Sequence, residues 1–417
     1  MSAHTPPDDA PFPLGPRELV VMLALSQALQ ALGIDAMLPA LGQIGHDLGL
    51  SDPNRRQLVV GLFLLGVGLG ALVPGALADR FGRRPVLLGC IGGYVATTLA
   101  AALVTDFTVL AVLRLFSGLI CAGLAVVPPA VIRDRFEGDR MASLQSMIAV
   151  IFLVVPMLAP TFGQAVLLFA GWRWIFGFIA LLGTGMGLWV YLRLPETLRP
   201  EYRQAIDLGT IGRNMRATVT TRASIGYVFA GACTTAVMWG YVQSSEQLLA
   251  EHFGAGRAFP MVFGAMALFI AMGNFTNARI VERFGARRVA HTALMFYIVF
   301  ALAQVALAHG PHETLAQFVV VMSLTMACSG FMGANFVAIA LQPFARTAGA
   351  ASSVQAFVRN SIAGLGGAII GQSYDGSARP ISIALLLAGG AVLVLMLWSE
   401  QGRLFRRLHP PGTRPTV

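Results

Sequence analysis

Residues 75–85 read GALADRFGRRP, a turn and four fixed charges (Asp79, Arg80, Arg83 and Arg84) set between two apolar runs long enough to cross a membrane. A weaker copy, ARIVERFGARR, starts at Ala278. At an offset of 203 residues Asp79 maps onto Glu282, Arg80 onto Arg283, Phe81 onto Phe284, Gly82 onto Gly285 and Arg84 onto Arg287. The chain therefore reads as one membrane-crossing unit used twice.

Around these two segments the composition leaves little room for a soluble protein. The 417 residues are 56% hydrophobic and 12% charged, with a mean hydropathy of +0.70, too little polar surface to cover a globule of this size. Runs of about 20 apolar residues predict twelve membrane helices, here spans 1 to 12 in chain order. Their bounds are 19–41, 57–78, 86–105, 107–132, 142–169, 174–194, 223–245, 259–281, 289–308, 314–341, 349–373 and 380–399. The expected fold class is an all-α integral membrane protein of two pseudo-symmetric six-helix bundles. The segments are a polar tail over 1–16, a first bundle over 17–194, a linker over 195–222, a second bundle over 223–400 and a tail over 401–417.

The net charge of +9 is made by arginine alone, 29 residues with no lysine. With the N-terminus inside, 22 of them fall in cytoplasmic segments and five (Arg55, Arg56, Arg173, Arg257 and Arg379) in outer loops, the bias that orients membrane proteins. The basic excess is thus topological, and no nucleic-acid partner is expected. Cys90, Cys121, Cys233 and Cys328 lie in spans without CxxC spacing, so neither a disulfide framework nor a metal site is expected. His309 and His312 read as a solvated turn. No Walker sequence, HExxH or catalytic triad is present, so the chain is not expected to be an enzyme or to carry a cofactor.

The charges left inside spans are Asp35, Arg114 and Arg359, and each needs a reason to be there. Asp35 lies about six residues, or roughly 9 Å, from the outer end of span 1, and Arg114 about seven residues, or roughly 10 Å, from the same face. Matching depths predict a proton-coupling pair, or else a structural ion pair between spans 1 and 4. Gln27, Gln30 and Asp35 share an arc of about 140°, which suits the wall of an aqueous cavity, with a kink expected at Pro39. In span 11, Ser352, Gln355 and Arg359 lie within about 60° of one another. Glu246, at the outer end of span 7, reads as a solvated rim residue. Gly66 and Gly70 in span 2, and Gly367 and Gly371 in span 11, give both helices a small-residue face for close contact.

The GxLADRxGRRP pattern resembles the loop between helices 2 and 3 of the major facilitator superfamily of secondary transporters. Further segments resemble one branch of it, the bicyclomycin and chloramphenicol resistance (Bcr/CflA) family of drug:proton antiporters. Span 1 reads GIDAMLPAL, similar to sxDMYLPAL. Span 4 carries RLFSG, with Arg114 and Gly118 on an RxxxG element, then AVIRD at Arg133 and Asp134. Span 5 reads VPMLAPTFGQ, similar to APMLAPLLGG, followed by GWRWIF. GANFVAIAL, with Asn335, and AGAASSVQAF, with Gln355, are similar to pNAxALA and AGTASAlxGF.

The resemblance implies a twelve-helix transporter working by alternating access, driven by the proton gradient without a cofactor. It implies a cytoplasmic gate of Gly75, Asp79, Arg80, Gly82, Arg83, Arg84, Arg133, Glu282 and Arg283, in which Asp79 meets Arg133 or a helix end. It implies an antiporter-like element at Pro156, Pro160, Gly163 and Gln164, and a substrate cavity at Gln27, Gln30, Asp35, Trp239, Asn335, Gln355 and Arg359. Three residues depart from the family pattern: Gln164 replaces a glycine, Glu246 a proline, and Arg359 the usual glutamine, which is expected to disfavour cationic substrates. The resulting expectation is efflux of small, fairly apolar compounds, antibiotics among them, from a bacterial cytoplasm by a monomer in the inner membrane with both termini inside. The alternatives are a proton symporter and a dedicated exporter of an endogenous metabolite.

Overall fold

A computed structural model describes residues 14–136, 138–198, 200–203, 209, 216 and 220–405. Residues 1–13, most of the linker over 195–222 and residues 406–417 lie outside the described residues. Among those described there is no strand, and each of the twelve expected runs coincides with helix.

Span 1 is Pro16–Asp35, which passes through a short 3-10 turn at Leu38–Ala40 into Leu41–Asp47, so the kink falls at Pro39. Span 2 is two helices, Leu58–Gly70 and Val73–Phe81, bent by 47° just before Pro74. Spans 3 to 6 are Arg83–Leu103, Phe107–Arg135, Gly138–Phe169 and Arg173–Arg193. Spans 7 to 12 are Arg222–Ser245, Phe259–Phe284, Ala286–Ala308, Leu315–Leu341, Ala348–Gln372 and Arg379–Ser399. Among the described residues nine helices are long and apolar enough to cross a membrane, ten if the bent pair of span 2 is one crossing.

The sequence repeat reappears as a repeated turn. Gly82, between spans 2 and 3, has φ +107°, and Gly285, between spans 8 and 9, has φ +87°. These conformations suit glycine alone, and at Gly82 a β-carbon would also strike the Glu196 carboxylate. Gly82→Ala is therefore expected to cost about 1–3 kcal/mol, read as a lower unfolding temperature in detergent. The end of the molecule holding both turns is called the Gly82 end below, and the opposite end, holding residues 48–57, the Arg56 end.

Lipid offers no hydrophobic drive for helix association, so packing depends on close backbone approach. Gly66 and Gly70 do this work in span 2, but against span 4: a β-carbon on either would meet the carbonyl oxygen of Leu115 or Leu119. Gly118 of span 4 returns the contact on the Phe63 carbonyl. Spans 2 and 11 do face each other, through a different pair. Gly68 abuts the Asn360 backbone at 2.7 Å and Gly364 the Leu65 α-carbon at 2.8 Å, measured from the β-carbon each lacks. Gly367 instead seats span 11 on Trp239 of span 7, and Gly371 seats it on Gln57 and Gln243. Span 5 is held to span 1 at Gly163, where a β-carbon would strike the Ala36 carbonyl. Span 8 meets span 5 where Gly264 lies 3.1 Å, on the same measure, from the Met157 carbonyl oxygen.

Candidate functional site

The first and last six spans meet chiefly where span 2 packs on span 11 and span 5 on span 8, with a smaller contact between spans 2 and 7. At the Arg56 end a polar seal joins them. The Asn54 amide donates to the carbonyls of Gln372 (3.3 Å) and Tyr374 (2.6 Å), and the Gln372 amide donates back to the Asn54 carbonyl (2.7 Å). Gln247 donates to the Asn54 side chain (3.1 Å) and accepts from the Gln57 amide. The Tyr374 hydroxyl donates to the Gln247 carbonyl (3.2 Å), and burial pushes that phenol up to about 12, so it stays a neutral donor.

At the centre of the seal the Arg56 guanidinium lies 2.6 Å from Glu251 and 3.5 Å from Glu246. Glu246 is 8% exposed and Arg56 7%, which corrects the reading of Glu246 as a solvated rim residue. A π-helical turn at Glu246–His252 carries Glu246 and Gln247 into the seam. Sequence reasoning missed this seal. Its one signal was the departure at Glu246, facing an arginine in the loop between spans 1 and 2.

At the Gly82 end each six-span group holds a buried ion pair of its own. Arg83 is 4% exposed and bridges Asp79 (2.6 Å) and Asp134 (2.9 Å). Glu196, just past span 6, accepts from the backbone N–H groups of Arg83 (2.9 Å) and Arg84 (3.3 Å), capping the start of span 3. Asp79 therefore pairs with Arg83, and the span 4 residue in the cluster is Asp134, while Arg133 is exposed. Arg84 donates to the Tyr191 carbonyl (2.6 Å), Arg80 lies over the Phe81 ring, and Gly75 packs near Val126.

In the second group the buried pair at this end is Arg287–Glu400 (2.7 Å). Glu400 also accepts from the Tyr227 hydroxyl (2.7 Å), while Glu282 and Arg283 are exposed. Glu196 and Glu400, 204 residues apart, each follow the last span of their group and reach the start of its third span, Glu196 through backbone N–H groups and Glu400 through the Arg287 side chain. Neither was singled out from sequence, since each stands alone after its span.

Between the two ends lie the intramembrane charges. Arg114 is 1% exposed, yet it does not pair with Asp35. Its guanidinium donates to the carbonyls of Val59 (2.8 Å) and Gly33 (2.5 Å) and is flanked by the Phe63 and Phe176 rings, 4.3 and 5.7 Å from their centroids. Carbonyl oxygens and ring faces satisfy the cation, so depth matching alone misassigned its partner. Asp35 is 6% exposed and has no ion pair or hydrogen bond among the described residues.

The remaining cavity candidates divide. Asn335 donates to Asn277 (2.7 Å) and to the Phe331 carbonyl (2.8 Å). Gln355 donates to Ser224 (3.1 Å) and to the Ala340 carbonyl (2.9 Å), so both tie helices of the second group together. Gln27 and Trp239 are half-buried and Gln30 is buried on span 1. Arg359, on span 11, is half-buried and donates from Nε to Asn360 (3.3 Å). Pro156, Pro160 and Gly163 lie on the stretch of span 5 that touches spans 1 and 8, with Gln164 half-buried beside them.

The chain is 30% identical over 347 residues to the MFS-type transporter YdgK of Bacillus subtilis, covering 81% of this chain and 84% of YdgK. It is 27% identical to a bicyclomycin resistance protein homolog of Haemophilus influenzae, covering 91% and 94% of the two chains. It is 28% identical to the multidrug resistance protein MdtL of Klebsiella pneumoniae, covering 88% and 91%. Among solved structures, a bacterial homolog of the human lysosomal transporter Spinster, inward-facing and unoccupied, superposes with a TM-score of 0.74 at 15% identity, over 95% of this chain and 98% of that one. The human organic anion transporter MFSD10 gives 0.69 at 16% identity, over 93% and 100%. With the family model of the Major Facilitator Superfamily matching residues 23–371, the protein belongs to that superfamily and is a multi-pass membrane transporter.

Proposed function

We propose that the protein is a proton-coupled exporter of small, fairly apolar compounds, of the multidrug or antibiotic efflux kind, acting by alternating access. The membrane is a bacterial cytoplasmic membrane, with both termini inside, so that the Gly82 end faces the cytoplasm and the Arg56 end the exterior. The arginine bias supports that orientation, and the drug-resistance names of relatives covering most of the chain support the substrate class. With the Arg56 end sealed across the two groups of spans, this conformation is closed to the exterior. No cofactor takes part, and a monomer suffices because the pathway lies within one chain.

Asp35 carries the coupling assignment. A carboxyl group at membrane depth is neutralised either by a cation or by a proton. Asp35 has no cation partner among the described residues, which supports the proton as its neutralising ligand. Arg114 assists by fixing the Gly33 carbonyl two residues earlier, holding span 1 in place while Asp35 is loaded and unloaded. Export is favoured over symport by the helix 5 element, whose glycine seats span 5 on the kinked end of span 1. Cells expressing the protein are expected to accumulate less chloramphenicol or bicyclomycin than cells without it, and to lose the difference on adding a protonophore. Equal accumulation of every compound tried, or a difference that survives the protonophore, contradicts this reading.

A further inference from the structure

Two arginines lie at membrane depth, and the protein treats them differently. Arg114 spends its donors on two backbone carbonyls and packs between two rings, so its charge is fully used inside the first six spans. Arg359 is the twelfth residue of a 25-residue helix, roughly 17 Å along span 11 from its first residue. Among the described residues its side-chain hydrogen bond is one from Nε to the Asn360 side chain at 3.3 Å, and no carboxylate lies within 4.0 Å of it. A guanidinium has five N–H donors, so most of its capacity is unspent. It is half-buried, so part of the side chain remains accessible.

Its position is central. The Arg359 δ-carbon runs 3.2 Å from where a β-carbon would stand on Gly231 of span 7, with Phe336 of span 10 beside it, so a missing side chain makes room for the arginine stem. The next residue, Asn360, has its backbone against Gly68 of span 2. Arg359 thus stands where spans 2, 7, 10 and 11 meet, at the junction of the two groups of spans, where the substrate path of this fold runs. An unpaired cation at this depth carries a standing cost that a bound anion removes.

We propose that the central site recognises a small compound bearing one anionic group, a carboxylate above all, and that Arg359 is its anchor. The inference rests on the reading of this junction as the substrate pathway, and is independent of proton coupling. A carboxylate accepts two parallel N–H bonds from the guanidinium fork, a geometry a lysine ammonium does not offer. The apolar body of the compound lies against the neighbouring helix faces. Outward movement of an anion is also favoured by a membrane potential negative inside. Among the small, fairly apolar compounds of the proposed function, this adds a preference for organic acids over their uncharged analogues.

The test is binding of matched acid, amide and amine forms of phenyl, naphthyl and octyl bodies to the purified full chain, by calorimetry without a pH gradient. Chloramphenicol, its succinate ester and its deacylated amine form a fourth set. In the wild type the acid is expected to bind at least about tenfold tighter than the amide, with the amine weakest. Arg359→Gln should bring the acid-to-amide ratio to about one, and Arg359→Lys should retain part of it. Size-exclusion profiles establish that each variant is folded, and Arg359→Lys carries the test if Arg359→Gln does not fold. An acid-to-amide ratio near one in the wild type, an unchanged ratio in Arg359→Gln, or no binding by any acid overturns the proposal. Charge-blind binding would leave the exporter reading intact, and loss of proton coupling with charge-selective binding would leave this one intact.

Discussion

Asp35→Asn is expected to abolish proton-driven efflux while the chain stays folded and inserted. The substitution keeps the shape of the side chain and removes only its capacity to carry a proton. Because Asp35 has no ion pair or hydrogen bond among the described residues, the change breaks no described contact, so a structural collapse is not its expected consequence. The packing that positions it, Gly163 on the Ala36 carbonyl and the Arg114 guanidinium on the Gly33 carbonyl, involves no atom of the Asp35 side chain and survives the change. Efflux driven by an imposed pH gradient should fall to the level of vesicles without protein, while substrate exchange at equal pH persists. Retained, pH-dependent efflux by the variant would remove Asp35 from the mechanism.

The second large effect is expected at the seal. Asn54 and Gln372 exchange bonds with each other's backbone across the seam, so these positions must separate for the Arg56 end to open. A protein with cysteines at both positions, and with Cys90, Cys121, Cys233 and Cys328 replaced, should be cross-linked by a short thiol-reactive reagent. Transport should then stop, and a reducible reagent should allow recovery on reduction. Substrate should still bind to the locked protein from the Gly82 side. Undiminished transport with the cross-link complete would show that this seam does not open.

The fold was legible because membrane spans announce themselves by length and apolarity, and because the repeat at Gly82 and Gly285 marks two equivalent turns. Within the site, legibility followed how local the chemistry is. The Asp79–Arg83 pair is one helical turn apart in sequence and could be anticipated as a gate, but its partners Asp134 and Glu196 come from spans 4 and 6. Matching the depths of Asp35 and Arg114 ignored the carbonyls nearer to the guanidinium, and an arginine at a helix crossing takes whichever acceptors are closest. Gly66 and Gly70 were recognised as a contact face, yet spacing alone does not say which neighbour a glycine face receives. The seal at the Arg56 end joins residues about 190 to 320 positions apart. Its members, Asn54, Gln57, Gln247 and Gln372, form no motif, and only the three-dimensional arrangement brings them together.

The central claim is exchange of protons for substrate, and it is tested most directly by proton movement in proteoliposomes of the pure protein loaded with a pH-sensitive dye. Adding substrate to acid-loaded vesicles should release protons in the wild type and release none in Asp35→Asn. Substrate movement with no accompanying proton movement in the wild type, or the same proton release from Asp35→Asn, would contradict the account.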